Sequence, residues 1–412
     1  MHHFEYRDGV LFAEDVSVTA LAEEYGTPLY IYSAATFRRH FKAFDSAFKG
    51  LDHLTCYSVK ANSNLSILKL LAAEGAGMDI VSGGELFRAL KAGVSPEKIV
   101  YSGVGKRDSE IRDALKAGIL MFNVESVAEL ERINSVAGEL GMKANVSFRI
   151  NPDVDPQTHP YISTGMKENK FGLDIENSLK AYQRAAEMDH VEPVGMDCHI
   201  GSQLTSIEPF LEALDKLLHF NSQLKKMGII IQYLDLGGGL GIAYDAEEPP
   251  HPSEFGQALS EKLQGLPLKV IFEPGRVIAG NAGILVTKVV YTKSNPTKNF
   301  LIVDAGMNDL IRPSLYGSYH RIGEVELSGR QHKPFDVVGP ICESGDFLAR
   351  DRELPAVDQG ERLVVYSAGA YGFTMASNYN TRPRACELLV DGDTVHVARK
   401  RETYEDLVAN EL

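Results

Sequence analysis

The chain has 412 residues, 44% of them hydrophobic, and a formal net charge of -14, which suits two or three packed domains. That charge argues against a nonspecific grip on nucleic-acid phosphates or anionic membrane, and no run of about 18 apolar residues offers a membrane span. The four cysteines, Cys56, Cys198, Cys342 and Cys386, show no metal-type spacing; they read as reduced thiols of a cytoplasmic protein with no metal site.

In chain order, Met1 to Tyr6 opens no basic-then-apolar export signal. Residues 4–14 predict a β-hairpin turning at Asp8-Gly9. Further β-rich runs recur at 54–58, 78–81, 99–102, 120–124, 144–150, 194–199, 229–236 and 269–272. Helical periodicity lies between them at 63–74, 84–92, 106–117, 127–140, 178–188 and 208–227. Gly75, Gly93, Gly118 and Gly141 follow four of these helices, where a left-handed cap costs glycine least. The eight β-then-α repeats predict an α/β fold, a (β/α)8 TIM-like barrel. The alternative is an open doubly wound sheet, but the first strand runs into Tyr57-Ser58-Val59-Lys60 with no GxGxxG fingerprint. Past Gly280 the helices thin out. Short runs at 284–291, 300–304, 335–338, 363–367, 387–390 and 394–397 predict a second, mostly antiparallel β-domain, a β-barrel or sandwich. The expected division is 25–280 for the barrel, and 1–24 with 281–412 for the β-domain.

Chemistry in such barrels gathers where strands end. The first strand ends at Lys60, the second before Ser82-Gly83-Gly84-Glu85, the sixth in Cys198-His199-Ile200-Gly201-Ser202-Gln203. The seventh ends in Asp235-Leu236-Gly237-Gly238-Gly239-Leu240-Gly241 and the eighth in Glu273-Pro274-Gly275-Arg276. Each feature has a plain reading and a chemical one. The glycine run packs a tight turn, or lets backbone N–H groups approach a phosphate. Lys60 is a solvated lysine, or a desolvated one able to form a Schiff base. Glu273 pairs with Arg276, or meets a cofactor nitrogen. His199 is a buried core histidine, or stacks on a planar ring. Convergence on one rim favours the chemical readings.

With Cys342-Glu343-Ser344-Gly345-Asp346 and Gly369-Ala370-Tyr371-Gly372 added, six motifs fall in one order along nearly the whole chain. In these the chain resembles the fold-type III pyridoxal-phosphate (PLP)-dependent decarboxylases. The resemblance implies that PLP is the cofactor and that Lys60 bonds to it. It implies that His199 stacks on the ring, with Asp79 supporting the lysine side. Ser202, Gly237, Gly238 and Gly239 bind the phosphate, joined by Gly275 and Arg276, and Glu273 pairs with the ring nitrogen. Arg276, Arg312 and Tyr316 hold a distal substrate carboxylate, Glu343 meets a distal ammonium, and Tyr371 lies near both cofactor and substrate. Cys342 supplies the proton that replaces carbon dioxide. Cys342 and Glu343 cross from a partner subunit, so a homodimer with shared sites is expected.

Two arginines and an acid together suit an amino acid carrying a second amino-acid head at its far end. Ornithine or arginine lacks the distal carboxylate. A carboxylated-polyamine decarboxylase, such as one acting on carboxynorspermidine, is the nearer alternative. A racemase of this fold type would place a cation where Glu273 stands. A non-catalytic PLP carrier would lack the β-domain.

Overall fold

The computed structural model describes residues 2–155 and 170–411. The chain forms two compact units: Met1–His40 with Ala243–Glu247 and Ile278–Leu412, and Phe41–Ile242 with Glu248–Val277.

The first unit begins with β1 (Phe4–Arg7), β2 (Val10–Ala13), β3 (Val16–Ser17), α1 (Val18–Tyr25) and β4 (Leu29–Ser33). The expected hairpin is β1–β2, with Phe4 opposite Ala13 and Arg7 opposite Val10. The helix α2 (Ala34–Ser46) follows.

The second unit is the barrel. Its strands and helices alternate as β5 (His53–Ser58), α3 (Leu65–Ala73), β6 (Gly77–Ile80), α4 (Gly83–Lys91), β7 (Ile99–Tyr101), α5 (Asp108–Ala117), β8 (Met121–Val124), α6 (Val127–Leu140) and β9 (Ala144–Arg149). The series continues with α7 (Ile175–Ala186), β10 (Val191–Asp197), α8 (Glu208–Lys226), β11 (Tyr233–Asp235), α9 (Pro252–Leu263) and β12 (Lys269–Phe272). The eight strands form a closed barrel. It shuts where β12 pairs in parallel with β5, Ile271 opposite Leu54. Leu54, Cys56, Val100, Met121, Val194 and Ile271 cluster in its core; each large apolar side chain buried there stabilises by about 1.5–3 kcal/mol. Ser82 caps α4 by accepting from the Glu85 N–H, and Ser126 caps α6 through Glu129. Gly118 and Gly141 end α5 and α6 in the left-handed conformation.

After α10 (Arg276–Ala279), the first unit resumes with β13 (Gly283–Ser294), β14 (Asn299–Val303), α11 (Arg312–Tyr316), β15 (Ile322–Glu324), β16 (His332–Val338), β17 (Phe347–Pro355), β18 (Arg362–Val365), β19 (Cys386–Asp391) and β20 (Thr394–Arg399). Its main sheet runs β17-β16-β14-β13-β4-β19-β20, with β18 on β13 and β15 on β18. Most pairs are antiparallel, while β14–β16 and β4–β19 are parallel. One boundary differs from expectation. Residues 29–33 fall within the segment expected for the barrel, but β4 pairs with β13 and β19 in the β-domain. Its sequence, Leu-Tyr-Ile-Tyr-Ser, is buried throughout, so it carries no alternation to show which sheet takes it.

Asp309 follows β14 and is 2% exposed. Its Oδ2 accepts the Gly306 N–H at 3.0 Å, and its carbonyl accepts the Tyr30 hydroxyl at 2.7 Å. Burial pushes its carboxyl up to about 7 from an ordinary 3.8. The folded value exceeds the unfolded one, so this group's contribution to stability is intact below about pH 4 and is lost as pH rises through 7. Asp309→Asn keeps an acceptor for Gly306 without the buried charge. It is expected to raise stability by about 1–3 kcal/mol at pH 8 and by clearly less at pH 5, read by thermal unfolding. An equal change at both pH values would refute this electrostatic account.

Candidate active site

Lys60 lies in a single turn directly after β5, and its Nζ is 2.8 Å from Asp79 Oδ2 on β6. Ser58 Oγ is 2.5 Å from the same oxygen and 3.2 Å from the Glu273 carbonyl. The ends of β5, β6 and β12 are thereby tied together. Glu85, at the start of α4, accepts the Val81 N–H at 2.7 Å. Burial pushes its carboxyl up to about 7, with the Asp79 charge adding to the shift.

His199 follows β10. Its Nδ1 accepts the Gly238 N–H at 3.2 Å, so in the neutral ring the proton sits on Nε2. Burial, then the Arg149 and Lys60 cations, hold the imidazole well below its ordinary range. Arg149 pairs with Glu125 at 3.0 Å and donates to the His199 carbonyl at 3.3 Å.

The glycine loop after β11 is shaped by close backbone packing. A Cβ on Gly238 would come within 2.2 Å of the Glu273 carbonyl, and one on Gly239 within 2.4 Å of the Gly201 carbonyl. Gly237 and Gly239 also have φ of +63° and +117°, conformations that glycine adopts readily. The tight-turn reading is therefore sufficient to account for the glycines. The Gly237 N–H donates to Asp235 Oδ1 at 2.9 Å, and that of Gly238 to His199. Beside this loop, Arg276 Nη2 donates to Ser202 Oγ at 3.1 Å, a cation and a hydroxyl suited to a phosphate. Arg276 and the adjoining Gly275 are both buried.

Inside the barrel mouth, one oxygen from each of Asp197, Asp235 and Glu273 lies within 4.8 Å of the others. Asn123 Nδ2 bridges two of them, 3.2 Å from Asp235 Oδ2 and 3.3 Å from Glu273 Oε1. Ser102 Oγ is 3.3 Å from that same Glu273 oxygen. Burial first, then repulsion from Asp235, Asp79 and Asp197, pushes Glu273 well above the carboxylate range. Burial also raises Asp197 and Asp235. Crowded buried carboxyls of this kind retain protons, and their ionised forms are stabilised by a cationic N–H placed among them.

The β-domain holds the other expected residues. Arg312, on α11, donates from Nε to His320 Nε2 at 3.3 Å and from Nη2 to Ser318 Oγ at 3.2 Å. Its guanidinium carbon lies 5.0 Å from the Tyr244 ring centroid and 5.8 Å from that of Tyr316. Cys342 is exposed in this chain, and its N–H donates to Asn380 Oδ1 at 2.8 Å. Asn380 and Thr381 sit at φ +54° and +55°, an unusual conformation that marks a held loop. Glu343 is hydrogen-bonded by the Tyr379 hydroxyl, which raises that phenol's proton affinity. Asp346 anchors the same loop by accepting the Ile341 and Met307 N–H groups at 2.7 and 2.6 Å. Tyr371 is half-buried at φ +55°.

Several contributors carried no role in the sequence reading: Ser58, Ser102, Asn123, Asp197, Asp235, His320 and Asn380. For the strand residues a signal existed, namely single polar residues at the ends of apolar runs. For His320 and Asn380 no spacing pointed to a role.

A closed parallel barrel bearing a lysine, an imidazole, a buried carboxyl and a guanidinium–hydroxyl pair at its strand ends is built for an aldehyde cofactor with a phosphate and a ring nitrogen. The residues fit that group: the crowded Glu273 carboxyl suits a pyridinium N–H, and the Arg276–Ser202 pair suits a phosphate. Residues 34–280 match the family model "Pyridoxal-dependent decarboxylase, pyridoxal binding domain". The chain is 55% identical to a Pseudomonas aeruginosa diaminopimelate decarboxylase, over 100% of this chain and 99% of that one. It superimposes on the Helicobacter pylori diaminopimelate decarboxylase crystallised with L-lysine at a TM-score of 0.92, with 47% identity, covering 95% of this chain and 98% of that one. For the M. jannaschii enzyme in complex with L-lysine the TM-score is 0.94, with 42% identity and coverage of 100% and 99%. The chain belongs to the pyridoxal-dependent decarboxylases and, within them, to the diaminopimelate decarboxylase family, with pyridoxal phosphate as cofactor. Among the described residues no helix is long and apolar enough to cross a membrane.

Proposed function

We propose that the chain is a carboxy-lyase that converts meso-2,6-diaminopimelate to L-lysine and carbon dioxide, the lysine-forming step of biosynthesis. The observation that carries this reading is the 55% identity to a diaminopimelate decarboxylase across the entire chain, β-domain included. The L-lysine bound to two structural relatives is the product this reaction would release.

Bound PLP supplies an electron sink for the charge left when the carbon–carboxylate bond breaks. The other steps belong to the chain. Lys60 would hold the cofactor, with Asp79 as its ionic partner. His199, neutral and tautomerically fixed by Gly238, offers a flat uncharged face to the ring. Glu273 keeps the ring nitrogen protonated. Ser202, Gly275, Arg276 and the Gly237–Gly239 loop bind the phosphate. Because the Gly237 and Gly238 amides already have acceptors, most of that grip is assigned to Ser202, Arg276 and Gly239. Arg276, Arg312 and Tyr316 bind the distal carboxylate, Glu343 the distal ammonium, and Tyr371 meets cofactor and substrate. The Cys342 thiol delivers a proton to the carbon that lost carbon dioxide. Cys342 and Glu343 act from a second copy of the chain, in a cytoplasmic homodimer.

A panel of meso-diaminopimelate, carboxynorspermidine, ornithine and arginine, scored by carbon dioxide release, tests the substrate. Release from diaminopimelate is expected to exceed the others by at least about 100-fold in kcat/KM, because a buried arginine left without its carboxylate costs a few kcal/mol. A preference for carboxynorspermidine would transfer the reading to that alternative. A racemase would exchange the α-hydrogen of its substrate without gas release.

A further inference from the structure

Arg312 is buried at 5% exposure. Its Nε donates to His320 Nε2 at 3.3 Å. The other ring nitrogen, His320 Nδ1, lies 2.9 Å from the Tyr366 carbonyl oxygen. A carbonyl only accepts, so Nδ1 carries the proton and Nε2 turns a lone pair toward Arg312. Both hydrogen bonds require the same neutral tautomer. His320 is fully buried at 0% exposure, and the Tyr244 ring meets it edge-on at 5.2 Å. That same Tyr244 ring faces the guanidinium at 5.0 Å. Ser318 Oγ fixes a second guanidinium nitrogen at 3.2 Å.

We propose that His320 is a positioning residue for substrate choice, fixing the plane of the Arg312 guanidinium before a distal carboxylate arrives. Arginine recognises carboxylate through a planar fork, so a few degrees of freedom removed in advance convert directly into affinity. The ring does this from behind the arginine through a single acceptor, without adding a charge that would compete with the substrate. The inference rests on the reading that Arg312 binds that carboxylate.

The test uses PLP-loaded enzyme and meso-diaminopimelate. His320→Asn retains a donor for the Tyr366 carbonyl but does not reach Arg312. It is expected to raise KM about tenfold, the value of one hydrogen bond to a charged group, with kcat within about threefold. His320→Gln carries an amide oxygen far enough out to accept from Nε and should recover most of the loss. PLP content and Tm should stay near those of the parent, which a merely structural role would not allow. Should His320→Asn fail to fold, Ser318→Ala on a half-buried residue should raise KM in the same direction. An unchanged KM in a folded His320→Asn enzyme, or equal damage from Gln and Asn, overturns the inference. Arg312→Met separates the two ideas. If it leaves KM unaltered, the carboxylate reading fails and the inference with it. If it raises KM while His320→Asn does not, only the inference fails.

Discussion

Lys60→Ala is expected to give a folded protein that lacks the absorbance band of a lysine-bound cofactor. Turnover should drop by more than about 10^3-fold, since the variant loses both the tether and a positioned acid–base amine. The geometry separates Lys60 from a second lysine near the strand ends among the described residues. Lys106 is the competitor, and its side chain is only 1% exposed. Its ammonium contacts the Gly103 and Asn123 carbonyls, each at 2.8 Å, and Glu129 at 2.6 Å. Three acceptors match the three N–H bonds of an ammonium, so releasing Lys106 as a neutral nucleophile would break all of them. Lys60 is 36% exposed and faces the Asp79 carboxylate. Borohydride reduction of the loaded enzyme followed by peptide mapping gives the direct readout. The cofactor mass should appear on the peptide carrying Lys60. Its appearance on Lys106, or an unchanged spectrum in Lys60→Ala, would remove Lys60 from this role.

The barrel was legible in the sequence because each of its strands is a short apolar run closed by polar or glycine residues. The intervening helices also carry their own stop signals, as Gly118 and Gly141 do. Elements whose composition conflicts with their setting were not legible. β17 reads Phe-Leu-Ala-Arg-Asp-Arg-Glu-Leu-Pro, and its charged centre suggests a loop. It survives as a strand because it is an edge, pairing on one side with β16, where charged residues are tolerated. The helix α9 lies behind His251-Pro252, which reads as a breaker, yet Pro252 occupies the first helical turn where its missing N–H costs nothing. The candidate site divides in the same way. Lys60, His199 and Glu273 stand next to strands in motifs that can be read directly. Asn123 and Asp235 lie within strands, and only closure of the barrel turns them inward onto Glu273. His320 gains its meaning solely from Arg312 and Tyr366, contacts that no local pattern encodes.

Glu273→Gln should move stability and activity in opposite directions. In the cofactor-free protein Glu273 is held well above its ordinary range by burial and by Asp235, Asp79 and Asp197. Its folded value exceeds the unfolded one, so the favourable contribution exists at low pH and is lost as pH rises through the folded value. Glutamine fills nearly the same volume without that liability. The cofactor-free variant should therefore unfold at a higher temperature than the parent at pH 8, with the gap narrowing toward pH 5.5. In the role proposed for Glu273, cofactor binding would reverse the sign. A carboxylate beside a pyridinium N–H favours the charged pair, and an opposite charge at contact shifts such a proton by about 1–3 pH units. Losing that carboxylate removes about 10- to 10^3-fold of the preference for a protonated ring, and turnover should fall by a similar factor. A residue that destabilises the empty protein while serving the loaded one is what a functional site under a stability–activity trade-off predicts. Two results would contradict this account: parent-like turnover in the glutamine variant, or a stability gain of the same size at both pH values.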